Sequence, residues 1–281
     1  MRLGKWGKGF DTQAYKNFIH GCLDLGLSTF DHADIYGNYT TEAEFGEVLK
    51  TDPSLRKKLQ LITKCGIKMV NANRPNHQVK SYDLGGSHII ESVDNSLKSL
   101  GTDYIDLLLL HRPDYLMDPE EVAYTFQRLK ASGKVLGFGV SNFSISHFDL
   151  LHQKYPLMTN QIEASLLQRK AYDDGTLDQS LALGLQPMAW SPLGGGVLFQ
   201  YSEDESIQRI QKAGQVLCEK YDCQLDQLLY AWVMKHPSKI IPVLGTSSLT
   251  RIRLAKSALE INLSKEDWYV LWSAATGTRV P

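Results

Sequence analysis

Short β-like runs alternate with longer helical patterns and predict an α/β protein, a (β/α)8 TIM barrel whose eight parallel strands close inside a ring of helices. Three observations carry that expectation. The runs fall near Leu3, Thr29, Ile62, Leu108, Phe138, Asn160, Met188 and Ile241, a count of eight. No composition break or long linker divides the 281 residues, so 1–281 reads as one barrel domain. No Gly-x-Gly-x-x-Gly follows the first run, where an open doubly wound sheet would carry its phosphate loop.

Each element has a local reason. Tyr15, Phe18, Ile19, Cys22 and Leu25 share one helical face, and Gly26 stops the helix. Ile89, Val93, Leu97 and Leu100 repeat at helical spacing before Gly101. Residues 104–110 are a near-continuous apolar run, as expected of a parallel strand covered on both faces. Pro119 opens a helix that turns Val122, Phe126 and Leu129 inward and ends by Gly133. Strands are expected at 135–140, 158–162, 187–190 and 240–244, with Pro187 and Pro242 at starts or irregular positions.

Composition narrows the function. A net charge of −1 with interspersed signs argues against a nucleic-acid stripe or a polybasic membrane patch. No apolar run approaches membrane-spanning length and the first residues form no signal peptide, so a cytoplasmic protein is expected. Cys22, Cys65, Cys218 and Cys223 lack metal-ligand spacing and read as reduced, buried thiols; Cys218 and Cys223 fall within one helical region. The pattern sets no oligomeric state.

The chemistry gathers where strands end. Asp31 and Tyr36 stand five residues apart after the run 27–30, Lys64 closes 61–64, and His111 closes 107–111. Barrel active sites lie at the carboxyl ends of the strands. A free tyrosine titrates at about 10, too high for ready proton exchange near neutrality. An adjacent ammonium favours phenolate, and a carboxylate keeps that ammonium charged and fixed. A histidine at the same mouth can hold a carbonyl oxygen for protonation. Together the four make a proton-transfer site.

These residues carry a resemblance to the aldo-keto reductase superfamily. FDHADIYG at 30–37, ITKCG at 62–66, LLLLHRPD at 107–114, GVSNF at 139–143, TNQIE at 159–163, WSPLGGG at 190–196 and IPVLGTSSLTRIR at 241–253 match in order and spacing. The resemblance covers nearly the whole chain and is nearest to bacterial and fungal aldehyde and ketone reductases. It implies an oxidoreductase that reduces a small-molecule aldehyde or ketone with NADPH, NADH being less favoured. Tyr36 would be the general acid, Lys64 would promote its ionisation, Asp31 would pair with Lys64, and His111 would orient the carbonyl.

By the same resemblance, Ser141, Asn142 and Gln161 hold the nicotinamide carboxamide and Trp190 stacks on its ring. Ser191, Leu193, Gly195 and Gly196 resemble a loop around the pyrophosphate, although Gly194-Gly195-Gly196 also reads as a plain flexible connection. Gly245, Thr246, Ser247, Ser248 and Arg251 resemble the segment that holds the adenosine 2′-phosphate, whereas Arg253 reads as a surface residue. Three departures stand out: Gly245 in place of a common lysine, Ala255 in place of an asparagine, and Lys5 in place of a threonine. Trp6 matches an aromatic wall of the substrate pocket.

Residues 66–86 form a long polar stretch that reads as a solvated loop or a lid. The short tail after Trp272 suggests an open, tolerant site. Two other readings stay open. One is an auxiliary or sensor subunit of the same fold that binds cofactor with little turnover, as some superfamily members do beside potassium channels. The other is a Schiff-base aldolase through Lys64, which Asp31 and Tyr36 argue against.

Overall fold

A computed structural model describes Gly7 and residues 9–279, so the strand expected near Leu3 and the assignments to Lys5 and Trp6 lie outside the described residues. The chain packs as two compact units, Met1–Asn160 and Gln161–Pro281.

In the first unit, parallel strands alternate with helices. The strands are β1 (Thr29–Asp31), β2 (Gln60–Cys65), a short antiparallel pair β3 (Ile67–Lys68) and β4 (Ser81–Tyr82), then β5 (Leu107–Leu110) and β6 (Phe138–Ser141). The parallel ladder runs β1, β2, β5, β6, with Asp31 opposite Ile62 and Lys64 opposite Leu109. Ahead of β6, Val135 pairs with Ile105 as an isolated bridge, so the strand itself starts later than its apolar run.

The helices form where caps and periodicity require them. Asp11 accepts a hydrogen bond from the Ala14 amide and starts Thr12–Asp24, which buries Tyr15, Phe18, Ile19 and Cys22. Asp118 caps Pro119–Ala131, with glutamates in the first turn and Arg128 and Lys130 in the last, matching the helix dipole at both ends. Gly101, in left-handed geometry at φ 64°, closes Gly86–Leu100.

One buried cation knits the strand starts together. Arg56 donates to Thr102 Oγ1, to the Leu59 and Tyr104 carbonyls and to Asp106 Oδ2, and its guanidinium lies 3.7 Å from the Tyr104 ring centre. The same Asp106 oxygen accepts the Leu61 amide at 2.8 Å, so one carboxylate holds the entry to β2.

β7 (Asn160–Glu163) spans the boundary between the units. In the second unit it pairs in parallel with β8 (Met188–Trp190), and β8 pairs with β9 (Ile241–Pro242). β9 is shorter than its apolar run; its donors toward β8 are the Ile241 and Val243 amides, on either side of Pro242. The helices Glu205–Tyr221, Leu225–Met234 and Lys265–Thr276 enclose a core centred on Trp232. Trp232 and Trp268 stack at 4.7 Å with rings nearly parallel, and each indole N–H donates to the other's backbone carbonyl, so neither buried donor is orphaned.

Cys223 does not continue the helix that bears Cys218. The helix ends at Tyr221, Asp222 turns left-handed at φ 48°, and both thiols are half-buried rather than buried. A left-handed residue breaks the helical path, which residue spacing alone could not show.

Close helix packing in the first unit yields a stability test. A Cβ on Gly46 would lie 2.1 Å from the Ser99 carbonyl oxygen, so the helices Thr41–Thr51 and Gly86–Leu100 meet where only glycine fits. Gly46→Ala is expected to destabilise the protein by about 1–3 kcal/mol, read as a lower urea midpoint with the slope unchanged. An unchanged midpoint would show that the two helices separate without cost.

Candidate active site

Parallel pairing brings the four strand-end residues of the first unit together. Asp31 ends β1, Lys64 is the penultimate residue of β2, and His111 follows β5 directly. Lys64 Nζ donates to Asp31 Oδ2 at 2.7 Å and to the His32 carbonyl at 2.8 Å. The Lys64 side chain is 0% exposed, so the ammonium has traded water for these oxygens. It lies 5.2 Å from the centre of the Tyr36 ring, whose edge meets His111 at 5.9 Å between centroids.

The charge states are set by burial. Burial, then the cations of Lys64 and Arg112, hold His111 well below the usual imidazole range. The ring is therefore neutral at pH 7, with one N–H to donate. Its Nδ1 has no partner among the described residues. A neutral donor beside a phenol suits a carbonyl oxygen better than a second cation would.

Tyr36 is presented by an unusual turn. Gly37, Asn38 and Tyr39 all take left-handed φ, at 57°, 59° and 68°. For Tyr39 this is costly, and side-chain anchoring offsets it. Its hydroxyl accepts the Met69 amide at 2.9 Å, and the Arg74 guanidinium stacks over its ring at 4.5 Å. Asn73 Nδ2 donates to the Asn38 carbonyl at 2.8 Å. The polar stretch 66–86 is thus a hairpin, β3 to β4, tied to the turn that bears Tyr36. Asn38, Tyr39, Asn73 and Arg74 escaped the sequence analysis because their roles depend on two segments meeting.

Behind the turn lie the buried Glu42 and the half-buried Asp34, whose Oδ1 is shielded from solvent. Glu42 Oε1 accepts Thr63 Oγ1 at 2.5 Å, tying the helix after Tyr36 to the residue before Lys64. Burial raises Glu42, while the Thr63 and Ser96 hydroxyls pull the other way. Asp34 is pushed well above the ordinary carboxylate range by burial and then by the charge of Glu42, and its Oδ1 has no partner among the described residues. His32, wholly buried against Phe45 at 4.6 Å, is held well below its ordinary range by burial and by Lys64. None of these groups had a sequence signal beyond proximity to Tyr36.

The other predicted residues fall into two local groups. In the first unit, Ser141 ends β6 and Asn142 turns left-handed at φ 60°, donating from Nδ2 to Ser141 Oγ and to the His111 carbonyl. Asn160, given no role by sequence reasoning, accepts the Phe143 amide and donates to the Phe143 carbonyl, clamping that turn. A clamped left-handed residue is a feature of functional sites.

In the second unit, Gln161 is buried in β7 and Trp190 ends β8. Ser191 follows at φ 50°, and Gly194, Gly195 and Gly196 continue in left-handed geometry at 60°, 69° and 91°. The Gly194 and Gly196 amides bond back to the Ser191 and Leu193 carbonyls, giving an ordered turn. Space above Gly195, Gly196 and Gly245 is open, with nothing within 4 Å of an added Cβ, which leaves backbone accessible to an anion. Leu193 packs on the cluster Tyr230, Ala255 and Ala258, which also receives Leu244. That cluster fixes the glycine turn beside the segment 245–248, where Ser248 caps the helix Leu249–Ser257. Arg251 is exposed in its first turn and Arg253 is exposed as expected. Half-buried hydroxyls at Thr246, Ser247 and Ser248, an exposed arginine and a helix start fit a phosphate. Among the described residues no His, Cys, Asp and Glu group is arranged to hold a metal, and no helix is long and apolar enough to cross a membrane.

With this geometry established, comparison with known proteins is informative. A family model described as Aldo/keto reductase family matches residues 1–274. The chain is 44% identical to the uncharacterized oxidoreductase YcsN of Bacillus subtilis, over 100% of this chain and 93% of that protein. It is 43% identical to a 6-dehydroglucose reductase of Agrobacterium fabrum, over 93% and 88% of the two chains. A crystal structure of the thermostable aldo-keto reductase Tm1743 with the inhibitor epalrestat superposes with a TM-score of 0.78 at 24% identity, covering 97% of this chain and 93% of that one. The fold is the α/β (β/α)8 TIM barrel expected from the alternation of runs.

The shielded carboxyl at Asp34 gives a pH signature. Its folded state holds the proton more tightly than the unfolded chain does, so its contribution is most favourable below 3.8 and is lost as pH rises through the folded value. Asp34→Asn is expected to gain on the parent by about 1.4 kcal/mol per pH unit within that window, measured as urea stability against pH. A constant difference across the acid range would mean that folding does not shift the titration of Asp34.

Proposed function

The chain belongs to the aldo/keto reductase family of nicotinamide-dependent carbonyl oxidoreductases, and on that premise we propose that it reduces aldehydes or ketones to alcohols with NADPH, Tyr36 being the general acid. The observation that carries this reading is the buried Lys64, held 2.7 Å from Asp31 and 5.2 Å from the Tyr36 ring centre. A desolvated ammonium beside a phenol stabilises the phenolate left when the proton departs. Asp31 keeps that ammonium charged and stationary. His111, neutral at pH 7, donates its N–H to the carbonyl oxygen and sets the angle of proton delivery.

The cofactor supplies the hydride, and this chain's residues bind and orient it. We assign Ser141, Asn142 and Gln161 to the carboxamide and Trp190 to the face of the ring. Ser191, Leu193, Gly195 and Gly196 are assigned to the pyrophosphate. Gly245, Thr246, Ser247 and Arg251 are assigned to the adenosine end, and the guanidinium of Arg251 favours NADPH over NADH. Trp6 is assigned to the substrate wall with His111. We take 1–281 as one barrel domain, and four free thiols support a cytoplasmic location. The 6-dehydroglucose reductase relative makes an oxidised sugar a rational member of any substrate panel.

Titration with NADPH and NADH, followed by absorbance loss on adding aldehydes, ketones and an oxidised sugar, tests the reading. Saturable NADPH binding with carbonyl-dependent oxidation supports it, while tight binding without turnover on any carbonyl points to a sensor subunit instead. Tyr36→Phe is expected to lower kcat by about 100-fold or more while leaving the NADPH Kd within twofold. Parental turnover in that variant would move the acid elsewhere. Arg251→Ala is expected to raise the NADPH Kd about tenfold and to leave NADH nearly unchanged. Equal weakening of both would remove Arg251 from the phosphate site.

A further inference from the structure

We propose that Cys218 and Cys223 form a vicinal dithiol that a low-molecular-weight disulfide converts into an intrachain disulfide at the end of the helix Glu205–Tyr221. The helix closes with a left-handed Asp222, and the Cys223 amide donates to the Cys218 carbonyl at 3.0 Å. That six-to-one closure is the Schellman turn, in which the two residues that bracket it bring their side chains into contact. One backbone hydrogen bond between them keeps their α-carbons within about 6 Å, inside the range that a disulfide spans. Both residues also border one surface pocket at the helix end, so the two side chains share the same space.

The pair is also accessible. The two thiols line a surface pocket with Gln215, Glu219, Asp222 and Gln227, while Cys22 and Cys65 are buried at 3% and 1% exposure. The pocket's carboxylates, Glu219 and Asp222, with Asp226 close by, disfavour an anionic reagent and favour a cationic or neutral disulfide. Burial, then the neighbouring sulfur, raises Cys218 to about 12, and burial raises Cys223 as well. Attack is therefore slow at neutral pH and accelerates as pH rises. The same protonation means that no thiolate stabilises the reduced form, so the disulfide is stable once made.

The step balances without any further reactant. The Cys223 thiol gives up its proton and attacks the small disulfide, breaking its S–S bond and expelling one small thiol. The Cys218 sulfur then attacks the mixed disulfide at Cys223 and expels the second. Two cysteine protons end on two small thiols; the protein gives up two electrons and the oxidant takes them.

The test uses the intact protein and cystamine, a cationic disulfide, with glutathione disulfide as the anionic comparison. Exposure to cystamine at mildly alkaline pH is expected to remove two of the four free thiols. The mass should fall by two hydrogens, peptide mapping should join Cys218 to Cys223, and cystamine should act faster than glutathione disulfide. Cys218→Ser should stop at a stable mixed adduct on Cys223. A thiol count that stays at four while a control dithiol peptide is oxidised would overturn the proposal, as would a parental protein that retains the small-thiol adduct.

Discussion

The buried ammonium of Lys64 is the constraint on which the first unit depends. An unpaired charge in that position would cost several kcal/mol, so the fold must bring an anion and a carbonyl to meet it. The register of β1 against β2 does so, placing Asp31 beside Ile62 and turning the His32 carbonyl toward the same nitrogen. Once Lys64 is fixed, its charge reaches three rings. It lies against the Tyr36 ring, and it helps keep His111 and His32 neutral. A cation with one carboxylate thus polarises the site while leaving the remaining groups uncharged.

Surrounding features carry the cost of that arrangement. Three successive left-handed residues after Tyr36, and single ones at Asn142 and Ser191, occupy backbone geometry that ordinary residues avoid. They persist because neighbours over-determine them: the β3 to β4 hairpin holds Tyr39, and Asn160 holds the turn after Asn142. Asp34 and Glu42, shielded and raised, sit behind the turn, so electrostatic strain accompanies the backbone strain there. In the second unit the paired indoles of Trp232 and Trp268 show the opposite case, a polar burden met internally by reciprocal donation. That rigid core backs the cluster on which the glycine turn rests.

Much of this was legible from residue order. The helix opened by Pro119 and the stop at Gly101 are local signals that appear where expected, while the strands in the runs 104–110 and 135–140 start later than those runs. Asp31, Tyr36, Lys64 and His111 were readable because a barrel places chemistry at strand ends. The hairpin at 66–86 was not, since its only local mark was polarity. Asn160 and Thr63 lay inside quoted motifs without a role, and Glu42 carried no mark, because each acts through a partner distant in sequence. The end of the helix at Tyr221 was misread because a left-handed Asp222 leaves no periodic trace.

By itself the sequence determined the alternation of strands and helices, the barrel that follows from it, and which side chains stand at the strand ends. Those are consequences of near-neighbour patterning, since periodicity and caps act within a few residues. Tertiary structure alone decided that Lys64 is dry and paired, that His111 is neutral, and that two carboxyls lie shielded behind Tyr36. It also decided that Cys218 and Cys223 border one pocket at a helix end. Charge state and contact depend on desolvation and on partners brought together across the chain, and no local pattern encodes either.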